Sequence, residues 1–221
     1  MRATEIAALG YADLVSVIPP DARLAAGSAI RPEAKGKSPG VRYASGAWGG
    51  YDWQRTPVAA AEMDACGASV GLRADRFPAV DVDVTDETLA AIVANVVERV
   101  LPTGPMRVGA WPKRLYAFRL DPGSDPISRL QLFILHGDTR HLVEILGAGQ
   151  QYVVSGTHPK TGQPYEWRRP LVKSEELPTL TLDQARALLD AIADELDILG
   201  LECVRSGTGA TALRSEVCQH A

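Results

Sequence analysis

The segment Pro78-Ala79-Val80-Asp81-Val82-Asp83-Val84 constrains this chain more than any other. It reads as a strand. Side chains on a strand alternate, so Val80, Val82 and Val84 point one way and Asp81 and Asp83 the other. The valine face demands a buried layer. The other face carries two carboxylates whose Cα atoms stand about 7 Å apart. Like charges on a largely apolar strand repel each other and resist desolvation. A bound divalent cation removes both penalties, which makes the pair a metal-site candidate of the kind used in phosphoryl transfer. The plain alternative is two aspartates wetted by solvent at the end of a sheet.

Around this strand the sequence alternates helix and strand signals. Thr85 is placed to cap a following helix, with Asp86 and Glu87 in its first turn. Leu89, Ile92, Val93, Val96, Val97 and Val100 recur at helical spacing, and Pro102 and Gly104 end the run. A last helix begins at Thr181, which forms a capping box with Gln184, and stops at Gly200. Thr56-Pro57 opens a shorter helix that Gly67 closes, and a weak helix signal lies within residues 1–15. Strands are expected at Ser69–Arg73, Met106–Val108, Leu115–Leu120, Leu130–Leu135, Leu142–Leu146 and Tyr152–Ser155. Residues 18–56 are rich in Pro and Gly, a length that points to a functional segment or one wrapped around the core. The order implies an α+β fold: one mixed or mostly antiparallel sheet with helices on one side. One domain is expected over 1–204, with 205–221 as a tail or linker.

Composition narrows the function classes. The three cysteines, Cys66, Cys203 and Cys218, show no C-x-x-C spacing, so neither a disulfide framework nor a cysteine zinc site is expected. No histidine pair has H-x-x-x-H spacing and no G-x-S-x-G string exists, which removes the simplest zinc-hydrolase and serine-hydrolase readings. The polar start, Met1-Arg2-Ala3-Thr4-Glu5, leads to the expectation of no signal peptide. No apolar run nears the roughly 18 residues a membrane span requires, so no span is expected, and the two together imply a reducing, cytoplasmic setting. Net charge is −4, so contact with nucleic acid must be local. Between Arg107 and Arg119 there are Arg107, Lys113, Arg114 and Arg119 and no acid. Lys160, Arg168, Arg169 and Lys173 form a second basic cluster, against Glu166.

Several strings add chemistry. Lys35-Gly36-Lys37-Ser38-Pro39-Gly40 combines lysines with glycines that allow close backbone approach to an anion, without the spacing of a P-loop; a plain surface loop is the alternative. In Arg107-Val108-Gly109-Ala110-Trp111-Pro112-Lys113, Arg107 can fork onto two phosphate oxygens and Lys113 can neutralise a third; an exposed basic edge strand is the alternative. Glu144 lies among apolar neighbours on a strand; such an acid ordinarily faces solvent, but beside the Asp pair it would complete a three-carboxylate set suited to magnesium or manganese. His158 follows a strand and a Ser-Gly-Thr turn, where a histidine can donate to a phosphate oxygen or shuttle a proton; a turn histidine bonded to its own backbone is the alternative.

Together, and in this order, these strings resemble the primase-polymerase domain of the archaeo-eukaryotic primase superfamily, in the form found in phage and plasmid replication proteins. The resemblance covers residues 8–170: Lys35 to Gly40, Gly71-Leu72-Arg73, the Asp81/Asp83 strand, Arg107 to Lys113, Val143-Glu144, and Gly149 to Val154 followed by His158-Pro159 and Pro164-Tyr165-Glu166-Trp167. It implies an RRM-like catalytic sheet with a smaller N-terminal αβ part. It also implies template-directed nucleotidyl transfer from nucleoside triphosphates, as DNA primase, DNA polymerase or both. Asp81, Asp83 and Glu144 would hold two divalent ions, Mg2+ or Mn2+, with no zinc. Arg107, Lys113 and His158 would contact the triphosphate, with Lys37 and Arg73 reaching phosphate or template. Partners would be a single-stranded DNA template and nucleoside triphosphates, with a helicase domain or protein nearby and the isolated domain a monomer. One departure stands out: many members carry a small-x-His motif between the aspartates and the last acid. Here that form occurs only as Gly156-Thr157-His158, after Glu144. Two other readings use the same residues: a non-catalytic nucleic-acid-binding module of a replication protein, and a metal-dependent nuclease.

Overall fold

The valine face of the Asp strand is buried as its pattern requires: Val80, Val82 and Val84 are all fully enclosed. The structure is a computed structural model and describes residues 1–206. The chain runs α1 (Ala3–Ala8), β1 (Leu14–Val17), β2 (Val41–Arg42), β3 (Trp48–Gly49), α2 (Ala60–Cys66), β4 (Ser69–Arg73), β5 (Ala79–Asp83), α3 (Glu87–Val100), β6 (Met106–Val108), β7 (Arg114–Ala117), β8 (Leu130–His136), β9 (Thr139–Leu146), β10 (Gln151–Ser155), β11 (Glu166–Arg169), α4 (Leu182–Ile198) and β12 (Glu202–Ser206). The fold is α+β, and all paired strands are antiparallel.

A seven-stranded sheet has the order β11-β6-β7-β5-β9-β8-β12, and a three-stranded sheet the order β1-β4-β10. One face of the large sheet is covered by α3 and α4. There Val80, Val82, Tyr116, Leu132, Ile134, Val143 and Ile145 meet Val93 and Val97 of α3 and Leu188, Ile192 and Leu196 of α4. Each of these large side chains contributes roughly 1.5–3 kcal/mol on burial. The opposite face is covered at one end only. A second core joins Ala79, Leu115, Ala117 and Leu146 of the large sheet to Val70, Leu72, Tyr152 and Val154 of the small sheet, with Ile6 of α1 and Met63 of α2 behind them. Where that core stops, a cleft opens between the sheets. Three connections cross from one sheet to the other: residues 74–78, 147–150 and 156–165.

Several local expectations change. Asp86, not Thr85, caps α3: its carboxylate accepts from the Leu89 N–H at 2.8 Å, while Thr85 is bonded to His141. Ala59, not Thr56, precedes α2. The capping box of Thr181 and Gln184 on α4 is present, and Gly67 and Gly200 take the positive φ that ends their helices. The strands β1, β2, β3, β11 and β12 are additions to the sequence reading. β12 pairs with β8 through Ser206, so Arg205 and Ser206 of the expected tail are strand, and the rest of that tail lies outside the described residues. Among the described residues no helix is long and apolar enough to cross a membrane.

Candidate active site between the two sheets

Register builds the site. Arg107 lies opposite Leu115, Leu115 opposite Asp81, Asp81 opposite Glu144, and Glu144 opposite Gln131. Residues directly opposite on neighbouring antiparallel strands share a face, so Arg107, Asp81, Glu144 and Gln131 form one row across the sheet, on the face away from α3 and α4. The cleft of about 250 Å³ that opens over this row is lined by Asp81, Asp83, Arg107, Lys113, Arg114, Lys37, Gln151, Tyr152, His158, Lys160 and Tyr165 among others. It therefore holds five cationic side chains, a histidine and two carboxylates.

Arg107 is the most informative member. It is only 8 % exposed, yet its Nε and Nη1 have no hydrogen-bond partner. Its guanidinium carbon sits 4.3 Å from the Tyr165 ring centroid, a stacking contact that fixes the guanidinium plane. Burial works against its charge, and Tyr165 and Asp81 support it. A buried, charged fork with idle donors is costly unless an anion completes it. The pattern is wider than one residue. Six buried side-chain nitrogens or oxygens lack a partner among the described residues, and five of them, Arg107 Nε and Nη1, Arg114 Nε, Gln151 Oε1 and Tyr152 Oη, belong to residues lining this cleft.

The loops add donors. His158 lies in the 156–165 crossing, which is closed by the His158 N–H on Gln163 O at 2.8 Å and the Tyr165 N–H on Gly156 O at 3.0 Å. Its Nδ1 accepts from the Lys160 and Thr161 backbone N–H groups at 3.4 and 3.3 Å. A neutral ring with Nδ1 accepting carries its proton on Nε2, which is then a donor. Burial, then the neighbouring Lys37, Arg107, Lys113 and Lys160, lowers its pKa and favours this neutral form. Space for the ring exists because residue 109 is glycine: a Cβ there would stand 2.5 Å from Tyr165 Cε1 and 2.8 Å from His158 Cδ2. Lys37 is held by its backbone, whose carbonyl accepts from Gln151 Nε2 at 2.7 Å.

The carboxylates differ in their surroundings. Asp81 is pushed up to about 6, first by burial and then by Asp83 and Glu144, with Arg107 acting against them. Asp83 forms an ion pair with Lys113. Glu144 is buried, and its Oε1 accepts from Arg129 Nε and, at 2.8 Å, from Gln150 Nε2. Asp81 and Glu144 thus face each other across β5 and β9, but Glu144 is engaged elsewhere. Among the described residues no three His, Cys, Asp or Glu side chains are grouped so as to hold one ion.

A family model described as bifunctional DNA primase/polymerase, N-terminal, matches residues 7–180. The chain belongs to this Prim-Pol family. The match spans the Asp81 strand, the 109–113 turn and the 156–165 crossing, so it contains the whole cleft. Prim-Pol membership gives the coarse function, DNA primase or polymerase chemistry with DNA and nucleotides as substrates. No curated protein matches the sequence.

Of the residues singled out in the sequence, Asp81, Asp83, Arg107, Lys113, His158 and Lys37 line one cleft. Glu144 shares their sheet row. Arg73 does not join them. Its guanidinium holds Asp75 at 2.5 Å and Gln54 O at 2.8 Å and lies over Trp53, so it braces the small sheet instead. Sequence reasoning missed Tyr165 beneath Arg107, Lys160 on the rim and the Arg129 and Gln150 partners of Glu144. Lys160 stood in the second basic cluster and Tyr165 in the Pro164-Tyr165 string, but only the 156–165 crossing between β10 and β11 brings them to Arg107.

Proposed function

We propose that this Prim-Pol domain transfers nucleotidyl groups from nucleoside triphosphates to a hydroxyl on a nucleic-acid strand, directed by a single-stranded template. The observation that carries the reading is Arg107, a buried fork with two idle donors, placed two strands away from Asp81 in the same row and ringed by Lys37, Lys113, His158 and Lys160. That set matches the charge and acceptor-only character of a triphosphate. In the proposed complex Arg107 takes two phosphate oxygens, with Tyr165 keeping its plane. Lys113 is shared between Asp83 and the phosphates, and His158 donates Nε2–H without adding charge.

The carboxylates fit divalent metal in their chemistry. They are an oxygen-only set suited to magnesium or manganese, and the pKa of Asp81 is raised first by burial and then by Asp83 and Glu144, costs that a bound cation would offset. Asp81 and Asp83 would hold the ions first, and Glu144 would join after releasing Arg129. When bound, such ions would ease deprotonation of the attacking hydroxyl and offset charge on the pyrophosphate leaving group. The engagement of Glu144 by Arg129 and Gln150 also favours a second reading, a non-catalytic nucleic-acid-binding module.

Incubation with a single-stranded template, nucleoside triphosphates and magnesium or manganese separates the two. Template-dependent product from wild type, abolished by Asp81→Ala with Asp83→Ala in a protein with an unchanged circular dichroism spectrum, is the expected result. Template binding with no product and no triphosphate binding would support the module.

A further inference from the structure

Trp111 is not explained by the cleft chemistry. It is 57 % exposed, whereas Trp48 is buried and Trp53 and Trp167 are partly covered. Leaving an indole in water forfeits the large burial gain of the most voluminous side chain. Yet this one is held in place. Its Nε1–H donates to Glu87 Oε1 at 3.2 Å, at the start of α3. The Arg114 guanidinium carbon lies 5.0 Å from its ring centroid. The turn beneath it is closed by the Lys113 N–H on Ala110 O at 3.0 Å. Edge and one face are engaged, and the rest of the ring is open. Gly109, Ala110, Lys113 and Arg114, on either side in sequence, line the cleft, while Trp111 itself stands outside it.

A rigid, solvent-facing aromatic ring backed by a cation suits a flat π-system, and nucleobases stack on such platforms whatever their sequence. The Arg114 guanidinium over the ring supplies local charge for a phosphate backbone in a protein of net charge −4. We propose that Trp111 stacks a base of the single-stranded template at the entrance to the cleft. The inference rests on the nucleic-acid reading above. The template is preferred to the base of an incoming nucleotide because Trp111 lies outside the cleft in which Arg107 awaits the phosphates.

Tryptophan emission of the full chain, titrated with a single-stranded oligonucleotide without metal or triphosphate, tests this. Wild type is expected to show quenching that is absent in Trp111→Phe. Affinity is expected to fall about tenfold in Trp111→Ala and to recover largely in Trp111→Phe, whose ring still stacks. Oligonucleotide binding by wild type that Trp111→Ala leaves unchanged would overturn this inference alone. Quenching by nucleoside triphosphate but not by oligonucleotide would assign the ring to the incoming base and overturn the template assignment. No oligonucleotide binding by wild type would instead overturn the nucleic-acid reading beneath it.

Discussion

Asp81 shows what the site costs the fold. Its carboxyl titrates near 6 in the folded protein against an ordinary value of 3.8, because burial and two neighbouring acids oppose its charge. The folded state therefore holds this proton more tightly than the unfolded chain, and ionisation weakens the fold as pH rises from about 4 to about 6. Above that window the cost is constant, about 1–3 kcal/mol for a shift of this size. Asp81→Asn removes the charge and keeps the shape. It is expected to raise the melting temperature at pH 7 by a few degrees and to leave it nearly unchanged at pH 3.5, while abolishing nucleotide transfer. Thermal melts at the two pH values check this. A lower melting temperature at pH 7 would mean that Asp81 is stabilised by its surroundings. The chemistry of this residue was legible in its sequence, since a strand with aspartates at alternate positions puts both on one face. The charge of its neighbours was not, because it depends on the register of β5 against β7 and β9.

Strands and crossings decide which charges meet. Glu144 leads from β9 towards Asp81, yet Arg129, in the segment entering β8, and Gln150, in the 147–150 crossing, close on its carboxylate. Arg129 is half exposed while Glu144 is buried, so solvent screens only one side of this pair. Arg129→Ala is expected to tighten manganese binding by the nucleotide-free protein roughly fivefold in calorimetry. Weaker binding in the variant would mean that Arg129 presents Glu144 to the ion instead of withholding it. The legible elements were those with strong periodicity: α3 and α4 by their apolar stripes, and β5, β8 and β9 by runs of Val, Leu and Ile. The missed strands lacked such a signal. Leu14–Val17 is four residues long and buried throughout, so no alternation marks it. Glu166–Arg169 and Glu202–Ser206 are edge strands rich in charge, which read as loop until a partner strand is known. Arg73 looked like a phosphate ligand because Asp75, two residues on, does not identify itself as its partner in sequence.

The two larger sheets of the molecule share a core at one end and part at the other, and the cleft is the place where they part. Its floor comes from the large sheet as Asp81 and Arg107. Its wall comes from Lys37 beside the small sheet and from the crossing that carries His158 and Tyr165. Few of these contacts are local in sequence, so the sequence could name the cations and carboxylates without locating the gap between them. The most direct measurement is a calorimetric titration of wild type and Arg107→Ala with a nucleoside triphosphate in the presence of manganese, with the matching monophosphate as control. Wild type is expected to bind the triphosphate, the monophosphate more weakly, and Arg107→Ala to lose at least tenfold in triphosphate affinity without losing its fold. Equal triphosphate binding by wild type and Arg107→Ala, or none by wild type, would contradict the account.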